Sequence, residues 1–270
     1  MEITSELLRE SNNSFTSSKP ALMKVRYASI ICKRTLVVSM SDRNLTPYML
    51  AGGPILLMVA FFSWPQTSEI GTDATDILFA EDRMPLMVML AIATIGIVVM
   101  FGGLYLLVQQ MKKGAGEMHK QMLTIAGMCI IAALALFMAG FGGNVNAINA
   151  IDFEIDPDDD QAWENEADQA VSVRGSWDAS NSGWAMMPVM WGMAMILVGM
   201  TGFMMQKPSG IDYMWSLLMP VGLGFSLAPI LNNPSYFDMI FPVTMLTHIV
   251  IGGLMIAGKI TAPSTSEEGA

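Results

Sequence analysis

Six stretches of nearly unbroken apolar residues, at 47–64, 85–111, 121–142, 184–205, 213–231 and 237–258, set the pattern of this chain. Crossing a hydrocarbon core takes about 20 such residues at ~1.5 Å rise each, so every stretch is long enough to span a bilayer. The first five contain no Asp, Glu, Lys or Arg. The pattern predicts an all-α, polytopic membrane protein, a compact bundle of six transmembrane helices.

Orientation follows from the basic residues, because cytoplasmic loops carry an excess of Lys and Arg. With the N-terminus inside, the inner segments hold Arg9, Lys19, Lys24, Arg26, Lys33, Arg34, Arg43, Lys112, Lys113, Lys120, Lys207 and Lys259, twelve of the fourteen basic residues. Arg83 and Arg174 alone fall outside. An odd number of spans would place basic clusters on both sides, so six spans with both termini cytoplasmic is the self-consistent arrangement. Trp64, Trp184 and Tyr236 at outer ends, with Tyr48, Tyr213 and Trp215 at inner ends, stand where interfacial aromatic anchors are expected.

Residues 1–46 are basic and polar without helical periodicity, and read as a disordered cytoplasmic tail. Met40 is an ordinary start for a polytopic protein, so the preceding residues are expected to be a misassigned leader. Residues 259–270 make a short cytoplasmic C-terminal tail. Between spans three and four, residues 144–183 carry ten acidic residues against Arg174 and read as an external acidic loop. Asp156, Asp158 and Asp160 within it offer oxygen ligands of the kind Ca²⁺ takes, but Gln161 and Ala167 stand where an EF-hand needs Gly and Glu. A solvated acidic surface is the simpler reading.

Composition agrees with lipid as the main solvent: 53% of residues are hydrophobic and 14% charged. The net charge of −10 lies in the loops and makes nucleic acid an unsuitable partner. Cys32 and Cys129 offer neither a disulfide framework nor paired metal-ligand spacing. No G-x-S-x-G, H-E-x-x-H, P-loop or dinucleotide fingerprint occurs, so the chain is read as no evident enzyme.

Chemistry concentrates at His248, in the middle of the sixth stretch, where an ionisable side chain is costly and by default faces the bundle interior. Thr244, His248 and Gly252 share one helical stripe, suited to close packing on a neighbouring helix. The other histidine, His119, adjoins Lys120 at the inner interface, whereas His248 stands eleven residues before Lys259 and hence about 16 Å deeper. The two cannot share one haem iron. Pro220, Gly222, Gly224 and Pro229 predict a kinked or broken fifth helix, of the sort that exposes backbone groups to a transporter's substrate.

Methionine is abundant, with 27 residues, and Met186, Met187, Met190, Met193, Met200 and Met204 recur at helical intervals in the fourth stretch. Such thioethers can ligate copper or haem, yet they equally supply flexible packing. Small residues four apart, Ala135, Ala139 and Gly143, Gly224 and Ala228, and Gly253 and Ala257, predict close helix contacts within this chain or with another.

The function expected from these features is a structural or accessory component of a membrane assembly, in the cell membrane. Its partners would be the lipid bilayer, other membrane proteins or further copies of itself. A small-solute or ion transporter using the fifth helix and His248 is the first alternative, and a haem or copper redox protein with His248 and a methionine the second. The sequence identifies no cofactor. Reporters fused after Lys113, Lys207 and Lys259 are expected to read cytoplasmic and one within 156–168 external. An external reading after Lys207 would defeat the six-span topology.

Overall fold

With no water in a bilayer core, backbone N–H and C=O groups must pair within their own segment, so long uncharged apolar runs become helices. The computed structural model describes residues 44–64, 83–149, 162–206, 210–231 and 233–264, apart from the side chains of 162–170, 173–174, 177–183 and 234. Every described element is helical: α1 (Thr46–Phe62), α2 (Arg83–Lys113), α3 (Glu117–Asn149), α4 (Ala162–Met205), a 3₁₀ helix (Gly210–Leu217) running into α5 (Leu218–Leu231), and α6 (Pro234–Ile256). Five helical stretches, Arg83–Lys113, Glu117–Asn149, Trp184–Met205, Gly210–Leu231 and Ser235–Ile256, are long and apolar enough to cross a membrane. The sixth, α1, is an apolar helix of 17 residues.

Each helix packs on its neighbours in sequence, and α6 returns to pack on α1, closing a ring. Polar ties hold the ends of consecutive helices together. Gln110 Nε2 donates to Thr46 Oγ1 at 2.7 Å, joining the end of α2 to the start of α1. The Arg83 guanidinium donates to Asn149 Oδ1, joining the start of α2 to the end of α3.

Between these ends the helices meet backbone to backbone. A Cβ on Gly53 would lie 2.7 Å from the Gly96 carbonyl oxygen, so α1 and α2 touch where only glycine fits. On α5, a Cβ at Gly222 would lie 2.6 Å from the Gly192 carbonyl oxygen and 3.0 Å from the Ile196 nitrogen of α4. Ring closure uses the same device: a Cβ on Gly252 of α6 would come within 2.8 Å of the Pro47 carbonyl oxygen of α1. The small pairs anticipated from spacing behave differently. Gly224 and Ala228 do face the bundle, but Ala135, Ala139, Gly253 and Ala257 are exposed on its outside.

The region read as an external loop is largely helix. Residues 144–149 complete α3 and 162–183 form the first half of α4, leaving 150–161 outside the described residues, together with Asp156, Asp158 and Asp160. At 44 residues, α4 is about 66 Å long, more than twice a hydrocarbon core. Ala, Glu and Gln in the sequence of its first turns favour helix. Asp238 also lies on an apolar helix long enough to span, exposed in the first turns of α6. Residues 1–43 of the basic N-terminal tail, the Met40 start and Lys207 lie outside the described residues, whereas Thr46, read as the end of that tail, opens α1 and is buried.

The fifth helix shows why its prolines are tolerated. Pro220 occupies the first turn of α5, where the chain leaves the 3₁₀ segment and its hydrogen-bond pattern changes. From Leu218 to Leu231 the helix is continuous, with Pro229 in its last turn.

At its C-terminal end α6 stops in a Schellman turn: Lys259 N–H donates to Leu254 O at 2.9 Å and Gly258 N–H to Met255 O at 3.1 Å, with Gly258 at φ +66°. The turn sends the C-terminal segment back onto the bundle, where Ile260 and Pro263 are buried and Pro263 lies against Gly202. What reads in sequence as a free tail is thus, as far as Pro263, part of the packed unit.

Gly222→Val is expected to destabilise the bundle by about 1–3 kcal/mol through overpacking against α4. Gly253→Val, whose new Cβ meets nothing within 4 Å, should stay within about 0.5 kcal/mol of wild type. Unfolding both variants in detergent checks this; equal losses would contradict the assignment of the two faces.

Candidate functional site: the buried Trp191–His248 centre

The inward face of α4 carries Met187, Trp191, Ala194, Met195, Val198 and Thr201, each almost fully buried. Trp191 is fully buried, and its indole meets rings from four other helices. Phe101 of α2 lies at 5.0 Å between centroids, Phe137 of α3 at 6.0 Å, Phe225 of α5 at 4.9 Å and His248 of α6 at 5.6 Å. Such tilted and edge-on pairs contribute roughly 0.5–1.5 kcal/mol each beyond area burial. One side chain thereby ties α2, α3, α4, α5 and α6 together across the ring.

His248 is 1% exposed. Its Nδ1 lies 2.7 Å from the Thr244 carbonyl oxygen one turn earlier, and because a carbonyl can only accept, Nδ1 carries the proton and donates. In the neutral ring Nε2 is then a bare acceptor. It has no hydrogen-bond partner among the described residues, and neither does the Nε1–H donor of Trp191. Each buried polar atom left in that state costs about 1–3 kcal/mol. Thr244 is equally buried, and its hydroxyl is occupied by Ile240 O at 2.9 Å. Thr244, His248 and Gly252 thus all face inward, with Gly252 serving the α6–α1 contact and His248 the centre.

Nearer the Met205 end of α4, Thr201 Oγ1 and Trp215 Nε1 are also buried without partners among the described residues. Trp215 is fully buried, which corrects its reading as an interfacial anchor: Gly199 and Gly202 leave room for it to lie along α4. Tyr48 and Tyr213 are exposed and Trp64, Trp184 and Tyr236 half-buried.

The other candidate residues do not join this centre. His119 stands half-buried in the first turn of α3. The methionine stripe turns mainly outward, with Met186, Met193 and Met204 exposed, Met190 and Met200 half-buried and Met187 fully buried. Pro220 is exposed and Pro229 half-buried, while Gly222 and Gly224 serve packing, Gly224 accepting from the Tyr236 hydroxyl at 2.8 Å. Among the described residues no three His, Cys, Asp or Glu side chains come together as a metal site. A haem could reach His248 Nε2 only by displacing packed side chains. An open groove lies between the C-terminal half of α3 and the first half of α4, lined by Ala139, Gly142, Asn146, Ser172 and Gly175.

Sequence reasoning singled out His248 and missed Trp191. The available signal was position: Trp184 and Trp215 stand at the ends of apolar stretches, whereas Trp191 lies seven residues inside one. The chain matches no protein-family model, no curated protein and no solved structure, so its function is argued from these residues.

Proposed function

We propose that this multi-pass membrane protein is a structural or accessory component of a membrane assembly in the cell membrane, with six spans and both termini cytoplasmic. The observation that carries the reading is the filled centre. Trp191 and the four rings on it occupy the middle of the helix ring, where a transport protein would keep a route for its substrate. Six spans are favoured because α1, although short, is a full member of the ring through Gly53 and its contact with Gly252.

Lateral partners are supported by the small residues left on the outside. Ala135 and Ala139 on α3 and Gly253 on α6 present shallow faces to lipid, where another helix can approach closely without help from the hydrophobic effect. That helix belongs either to a second copy or to a different membrane protein.

One observation favours transport as the second reading: His248 Nε2 is a buried acceptor with no described partner beside an indole donor in the same condition. Intramembrane ionisable residues of this kind mark substrate or proton paths.

A photo-crosslinking side chain at position 139 or 253 is expected to give a discrete adduct in native membranes, with the chain itself or a second protein, while one at the lipid-facing Ile125 gives none. In proteoliposomes, uptake of protons, ions and small neutral solutes should not exceed that of empty vesicles. A saturable flux lost in His248→Gln and kept in His119→Ala would overturn the accessory reading in favour of transport.

A further inference from the structure

We propose that the centre of the bundle is a binding site for one neutral, water-sized molecule, water itself, held between the Trp191 indole N–H and His248 Nε2. This goes beyond the accessory role and is independent of it.

Three observations converge on the site. First, the 2.7 Å contact of Nδ1 with the Thr244 carbonyl fixes the tautomer, so Nε2 is an acceptor and cannot donate. Second, the indole of Trp191 can only donate, and its ring lies 5.6 Å from the imidazole, tilted by 52°. Third, both nitrogens are buried and lack hydrogen-bond partners among the described residues, and the Phe101, Phe137 and Phe225 rings packed on the indole are apolar.

The two groups are complementary in sign, yet they do not bond to each other. A guest that accepts from the indole and donates to the imidazole satisfies both at once. Water does this with one lone pair and one O–H, leaving its second O–H for a backbone carbonyl. A cation would find no carboxylate among the groups described here, and an anion would meet the bare lone pair of Nε2. The chemistry therefore selects a neutral donor–acceptor molecule, and a centre filled by Trp191 and its rings selects the smallest one. Buried waters in proteins occupy sites of this type, bridging polar groups that cannot reach one another.

The experiment uses the full chain in lipid nanodiscs with ¹⁵N-labelled tryptophan and histidine, the Trp191 indole signal being assigned by its disappearance in Trp191→Phe. Magnetisation transfer from water to that indole proton is expected in the wild type. It should be lost in His248→Phe, which keeps a ring but removes the acceptor, and retained in His248→Gln, which supplies an acceptor again. A scalar coupling between the indole nitrogen and His248 Nε2, the mark of a direct N–H···N bond, would overturn the proposal. So would the absence of transfer in a wild-type protein whose indole signal is resolved.

Discussion

Helices in a bilayer gain nothing by hiding apolar side chains from one another, since lipid tails are as apolar as leucine, and this constraint shapes the whole bundle. What remains is contact: close backbone approach, tight side-chain packing and a few hydrogen bonds. The chain uses the first at Gly53 with Gly96, Gly192 with Gly222, and Gly252 with Ala51, three seams at which a single methyl group would not fit. It uses the second at Trp191, where one indole fills the space that six helices arranged in a ring would otherwise leave open. The glycines hold neighbours together and the tryptophan holds the ring.

That division of labour explains the position of His248. A ring packed this tightly can admit a polar side chain at its centre only if one nitrogen is satisfied locally, and the Thr244 carbonyl four residues earlier does so within α6 itself. The other nitrogen is left facing the shared interior. Structural and functional readings of the bundle therefore meet at the same two rings: the indole that closes the centre is also the donor that lies against the imidazole.

Much of the fold could be read from the chain, because continuous apolar runs leave helices as the only way to satisfy the backbone in lipid. The inward direction of Thr244, His248 and Gly252 was legible too, from the cost of placing an imidazole against lipid. Extents were less so: α2, α3 and α4 all continue beyond their apolar runs, since helix does not stop where hydrophobicity does, and the acidic residues of 162–183 hid a helix behind loop-like composition. Partner assignment was not legible. Small-residue spacing marks where a helix can be approached, but whether the visitor is α1, as at Gly252, or nothing in this chain, as at Gly253, depends on contacts far apart in sequence. Trp191 was obscured because its neighbours are methionines that drew attention as thioethers, whereas what mattered was a large ring deep within a span.

The central claim, that Trp191 holds five helices together across the ring, is tested most directly by unfolding Trp191→Ala in lipid nanodiscs beside wild type. The account predicts a loss of about 3–5 kcal/mol, the range for removing a large aromatic from a packed core. Stability within about 0.5 kcal/mol of wild type would contradict it.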